Sequence, residues 1–407
     1  MKRRVFGMVV ALWAIAAPMS ATAAPAPVQR EADGYTRYEL LAPGSGKFRI
    51  VYEITAVAPG ATAYFNPIRP GSVATDERVT DRATGKPLAW SVVDAAAARA
   101  GGVADADAGM RFIRVALARP VPANGGEARI LIEKTYEDPK SYLTTGNGEI
   151  VFDRPLGVKR NAVVLPAGYV LVSSNYPSQI LEDRGRILVS FWNVTPAQAP
   201  LHIVARRAEI GRPAAAARPL ALEEERAHQS RKIVYYLNPP ETHSFALTHD
   251  YTETRVGTAH YVNIVRAGSE VANPSALNLD TGETIPFTLI AGEAVKRAEP
   301  EATDVGPETK AVLFRFRPVA AGESLRLRIA ETYTDLGRYG VQPDGTLLWE
   351  RSFGRAENVV VLPAGWAPVS SNIPCTVETQ ADGRIRVTYM NPRPDELAVR
   401  LVARRVR

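Results

Sequence analysis

Apolar and polar residues alternate along much of this chain. Lys47 to Thr55 reads Lys-Phe-Arg-Ile-Val-Tyr-Glu-Ile-Thr, so Phe48, Ile50, Tyr52 and Ile54 share one face. Arg129 to Tyr136, Arg326 to Tyr333, Arg186 to Phe191 and Arg384 to Tyr389 have a similar pattern. A period of two, rich in β-branched and aromatic residues, predicts strands with one face on a core and one in water. Turn signals punctuate the runs: Asn147-Gly148, Asp344-Gly345, Asp382-Gly383 and, twice, Pro-Ala-Gly. The pattern predicts an all-β chain of packed antiparallel sheets.

The strand pattern occurs twice. Asn161 to Pro177 is identical at 12 of 17 positions to the segment 197 places later, Asn358 to Pro374. The offset holds far from that block. Tyr38 falls on Tyr235, Phe48 on Phe245, Tyr64 on Tyr261, Asn66 on Asn263, and Thr84-Gly85 on Thr281-Gly282. It then becomes 198, matching Asn193 to Asn391 and Val204-Ala205-Arg206-Arg207 to Val402-Ala403-Arg404-Arg405. So small a drift implies two nearly colinear folds. The boundaries read as a signal at 1–24, a disordered segment at 25–34, a β-sandwich repeat at 35–207, a linker at 208–231 and a second repeat at 232–407. Each repeat is expected to be one sandwich of about ten strands, or two small ones sharing a strand. The linker is rich in Ala and Pro, and Leu220 to Ser230 has helix formers enough for a short helix.

The N-terminus changes the picture of where the protein works. Lys2, Arg3 and Arg4 precede an apolar run to Pro18, and Ala21-Thr22-Ala23-Ala24 supplies small residues for cleavage. This reads as a secretory signal, too short for the ~20 residues of a spanning helix. The expected location is periplasmic or secreted, with no transmembrane segment after cleavage. Losing Lys2, Arg3 and Arg4 lowers the formal charge from +6 to +3, which leaves no nucleic-acid footprint. The single cysteine, Cys375, has no partner for an internal disulfide, so core burial must hold the fold.

Candidate chemistry is sparse. There is no His-Glu-x-x-His, Cys-x-x-Cys or Gly-x-Ser-x-Gly motif. Pro43-Gly44-Ser45-Gly46-Lys47 mimics the end of a phosphate loop, but Leu41 stands where the first Gly belongs and Phe48 follows the lysine, so it reads as a β-turn. His243 and His249 share strand parity, and with His260 they are the candidate metal ligands. Their first-copy counterparts, Gly46, Tyr52 and Ala63, are not ligands of that kind. The expectation is therefore no cofactor and no catalytic residue. Tyr142, Tyr176, Trp192, Tyr339 and Trp366 are the candidate binding aromatics, suited to a sugar or peptide surface. Asp138/Asp335, Arg154/Arg351, Asn161/Asn358, Ser174-Asn175/Ser371-Asn372 and Asn193/Asn391 occur in both copies and read first as structural.

Phe152-Asp153-Arg154-Pro155, Val164-Leu165-Pro166 and Ser174-Asn175-Tyr176-Pro177 together resemble the N-terminal β domain of the gluzincin aminopeptidases. The resemblance spans residues 152–177, and the second copy breaks its first corner at Glu350-Arg351-Ser352. It implies a β-sandwich and nothing of peptidase activity, because the zinc-binding domain of that family has no counterpart here. The expected role is non-covalent: an envelope module that binds a protein, with polysaccharide binding or a hydrolase site in the second repeat as alternatives. An uncovered edge strand or apolar groove is the feature that favours protein binding.

Overall fold

A computed structural model describes residues 26–208, 220, 224–230, 232–303 and 305–406. The expected signal at 1–24 and most of the Ala/Pro-rich linker lie outside these residues. The described residues are nearly all β, with two six-residue α-helices among them, Ala95–Ala100 and Glu293–Ala298, at equivalent places in the two repeats. Among the described residues no helix is long and apolar enough to cross a membrane.

Each repeat is built on one long sheet. In the first, the strand order is Gln179–Asp183, Arg186–Trp192, Arg160–Val164, Glu31–Leu40, Lys47–Ala56, Ala128–Glu137, Val73–Asp81. The second repeats this order from Thr376–Thr379 to Glu270–Asn278 and adds the two-residue strand Thr284–Ile285. Two smaller sheets of three and four strands accompany each long one, again in matching order. In the second repeat the core divides accordingly. Phe245, Tyr333, Trp349 and Leu401 form one cluster, and Val312, Phe314, Leu327 and Ile329 another. In the first repeat a single cluster joins Tyr64 and Ile113 to Phe152 and Leu201, so neither expected arrangement holds as stated: each repeat has one long sheet accompanied by two smaller ones, with no strand in common. One pairing in each long sheet is parallel, Glu31–Leu40 with Arg160–Val164 and Lys232–Leu237 with Glu357–Val361. The chain between these partners runs through both smaller sheets, which supplies the long crossover that parallel pairing needs.

The expected disorder at 25–34 is corrected over the described residues 26–34. Gln29 exchanges hydrogen bonds with the Phe65 backbone, and the first strand begins at Glu31. Glu31 accepts from the Tyr64 and Tyr52 hydroxyls, and Asp33 pairs with Arg160. The polar residues that looked like a tail are thus satisfied inside the fold. Among the described linker residues the expected helix is a single 3₁₀ turn over Arg226–His228, and 221–223 lie outside the described residues. Tertiary bonds set it. Buried Glu225 accepts from Tyr35 and Ser190 of the first repeat, while Arg226 donates to the Gly354 and Asn391 carbonyls of the second.

The repeats dock reciprocally. Glu127 N–H donates to Leu279 O, and its counterpart Ser324 donates to Ala83 O. Arg129 makes a bidentate pair with Asp280 at 2.8 and 2.7 Å and reaches Ser324. Its counterpart Arg326 lies 3.4 Å from Glu127. Gly85, at φ +68°, packs so close that a Cβ there would stand 2.4 Å from Gly322 O. The same surface of each copy therefore meets its counterpart, as in an isologous dimer.

Candidate functional site: an open groove in the first repeat

The polar residues shared by both copies hold strands in place. Arg154 pairs with Asp138 at 2.9 Å, and Arg351 with Asp335 at 3.1 Å. Each guanidinium also lies over the aromatic core, Arg154 on Phe48 and Tyr136, Arg351 on Phe245 and Trp349. Burial pushes the Asp138 carboxyl up, but the Ser141 bonds and the Arg154 charge outweigh it and hold it below its ordinary value. Asn175 and Asn372 bridge to the next strand, each taking one N–H and giving one N–H to a carbonyl.

The histidine candidates do not converge. His243 is not in the strand that carries His249. That strand begins at Ser244, and His243 caps the preceding turn at φ 51°, its Nδ1 2.6 Å from Tyr339 O. His249 is buried, with Nδ1 accepting from Arg355. His260 donates from Nε2 to Ala298 O. Among the described residues no group of three or more His, Cys, Asp or Glu is placed to hold a metal.

The aromatic platform is corrected as well. Tyr142, Tyr339 and Trp366 are buried, and the Tyr142 and Tyr339 hydroxyls donate to the Leu41 and Asn238 carbonyls. These rings alternate toward the core rather than away from it. Tyr176 is half-buried against Phe191, 5.2 Å between centroids, and Trp192 is half-buried at its strand end. The five candidates therefore form no exposed platform.

What is uncovered is a groove at one end of the first repeat, of about 620 Å³. It lies between the terminal strand of the long sheet, Gln179–Asp183, and the terminal strand of the four-stranded sheet, Tyr169–Ser174. Ile180 pairs with Val189, whose side chain belongs to the core. Ile180 therefore points into the sandwich, yet it is 57% exposed because no described residue closes this end. Leu171, Tyr176 and Ile187 form the floor, packed against the core from beneath. Val172 is the extra residue of a β-bulge and is also exposed. Ser173, Ser174 and Ser178 give a polar margin. The bulge blunts the edge on one side, whereas Gln179–Asp183 runs in unbroken register, and among the described residues no strand pairs with its outer side, where the Gln179 and Asp183 side chains bond to the linker at Glu224, Arg226 and Leu220. In the second repeat Pro368 replaces Leu171 and the edge strand shortens to Thr376–Thr379, two devices that discourage strand addition. The sequence named Tyr176 here but missed Ile180 and Val172. Their alternation is that of any strand, and only the missing neighbour makes them a surface.

No protein-family model matches the chain. No curated protein matches it either. Among solved structures, an M1 zinc metallopeptidase from Deinococcus radiodurans overlaps 44% of this chain and 42% of its own, at 12% identity and TM-score 0.30. A two-domain M1 zinc metallopeptidase bound to L-tryptophan overlaps 44% and 43%, at 13% identity and TM-score 0.29. A chain described as a nutrient-binding protein from Legionella pneumophila overlaps 44% and 67%, at 8% identity and TM-score 0.28. The chain spans less than half the length of these metallopeptidases.

Proposed function

We propose that this is an exported protein-binding module whose first repeat captures an extended segment of a partner protein in the open groove. The exposure of Ile180 carries the reading. An apolar side chain directed at the sandwich interior is left in solvent where one more strand would cover it. A segment lying along Gln179–Asp183 gains backbone hydrogen bonds from the free edge, and its alternate apolar side chains fall on Leu171 and Ile180. The export part of the reading rests on the N-terminal sequence.

The test is selection from a display library of random peptides, with the mature protein and Ile180→Glu compared side by side. Ile180 is exposed, so the variant should keep its circular dichroism and melting temperature. The wild type should enrich peptides with apolar residues at alternate positions, and Ile180→Glu should bind them at least tenfold more weakly. Equal binding by both proteins, or no enrichment at all, rejects the groove as the docking site.

A further inference from the structure

On the repeat junction lies a second cavity of about 440 Å³, walled by both copies and by the linker. Equivalent positions face each other across it: Arg129 and Arg326, Thr55 and Thr252, Asp33 and Ser230. Five arginines line it against three acids, Asp33, Glu53 and Glu253, so the wall carries more guanidinium than carboxylate. The acids that pair with Arg129 and Arg326, Asp280 and Glu127, are not part of that lining.

The guanidiniums are only partly used. Arg160, 5% exposed, gives Nε to Asp33 and Nη1 to the Ala227 and His228 carbonyls. Arg326, 4% exposed, gives Nη1 to Ser230 and Thr252. Its Nη2 stands 3.9 Å from Asp33 and 4.0 Å from Asp250, beyond hydrogen-bond reach. Among the described residues no hydrogen bond reaches Nη2 of either arginine. Arg82 contacts Glu53 through Nη1 alone, and Glu53 also meets His228 Nε2 at 3.1 Å. Arg326 Nε is also buried without a hydrogen bond, and an anion in the cavity would give the Nη2 edges the charge-assisted acceptors they lack. We propose that the cleft binds a small oxyanion, a phosphate or carboxylate group, between Arg82 and Arg160 of the first repeat and Arg326 of the second.

The probes are inorganic phosphate and succinate, each compared with sodium chloride at equal ionic strength. Because such a ligand bridges the two repeats, it should raise the melting temperature of the full chain by several degrees beyond the chloride effect. Titration calorimetry should show one site per chain. A response to phosphate alone or to succinate alone identifies which group the site takes, and either supports the proposal. Arg326→Gln and Arg82→Gln should each weaken binding about tenfold or more, the loss of a charged hydrogen bond. Arg82 is the less buried of the two and keeps the test open if Arg326→Gln does not fold. The proposal is overturned if neither oxyanion exceeds chloride, or if Arg82→Gln binds as tightly as the wild type.

Discussion

One pair of equivalent positions has taken opposite charges. Lys134 of the first repeat donates to Asn66 Oδ1, while its counterpart Glu331 accepts from Asn263 Nδ2. Asn66 and Asn263 are themselves equivalent, and an amide serves either sign by turning over. Both charges are buried. Burial, aided by Arg154, brings the Lys134 ammonium down to about 7, and burial raises the Glu331 carboxyl against the bonds from Asn263 and Tyr333. For Lys134 the sign follows. Above the unfolded value of about 10.4 the amine is neutral in both states and costs nothing. As pH falls from there toward 7, the unfolded chain takes the proton first and stability is lost, and below 7 the slope disappears. The wild type should therefore gain about 1 kcal/mol per pH unit between 7.5 and 9.5 relative to Lys134→Met. Urea unfolding of both proteins at the two pH values measures this, and parallel pH dependences would refute it. Glu331 slopes the other way, since a raised carboxyl value makes stability fall as pH rises through the carboxylate range.

At the scale of elements, the linker turn is a clasp made of side chains. The 3₁₀ turn Arg226–His228 is too short to hold itself, and Glu225 fixes it to the first repeat through the Tyr35 and Ser190 hydroxyls at 2.7 and 2.8 Å. Glu225→Ala leaves two buried hydroxyls without an acceptor, at a cost of about 2 kcal/mol or more. Limited trypsin digestion should then cut after Arg226 much faster than in the wild type. Unchanged cleavage would mean that the Arg226 bonds to Gly354 and Asn391 suffice. This clasp also marks where the sequence stops being legible. Alternation placed strands such as Lys47–Ala56 and Leu325–Thr334 well, because a period of two is a local property. The duplication followed from identity alone, and so did the structural reading of Arg154 and Arg351. Of the helix expected over 220–230, the described residues 224–230 hold only a 3₁₀ turn, because Glu225 and Arg226 answer to partners far along the chain. The aromatic candidates failed for a related reason. Tyr142, Tyr339 and Trp366 are buried, and residue type alone does not say which side of a sandwich a ring faces. The groove was beyond local pattern too, being defined by which described strands are neighbours rather than by any one strand's sequence.

The whole molecule is organised by its junction. Tandem copies joined by a linker are free in principle to tumble separately, yet here each presents the same face to the other, with Arg129 and Arg326 exchanging roles. Thr84-Gly85 and Thr281-Gly282, which the sequence shows only as a repeated pair, both stand at this contact, and each glycine has positive φ and almost no room for a Cβ. A substitution at either would strain the backbone and push the copies apart, so the requirement for glycine comes from docking as well as from the turn. Coupling of this kind has a thermodynamic signature. If the junction makes one cooperative unit, calorimetry of the wild type should show a single unfolding transition. Arg129→Met should break it, because buried Asp280 loses its bidentate partner and keeps only the Arg326 backbone N–H and Arg119 at 3.9 Å, at a cost of roughly 3–5 kcal/mol. The transition should then split in two, one for each repeat. A double change, Arg129→Met with Asp280→Leu, removes both charges and should restore much of the coupling, since an apolar pair of similar volume costs far less than a lone buried charge. If Arg129→Met merely lowers a single transition, the repeats share their stability through other contacts, and the linker clasp becomes the coupling element to test next.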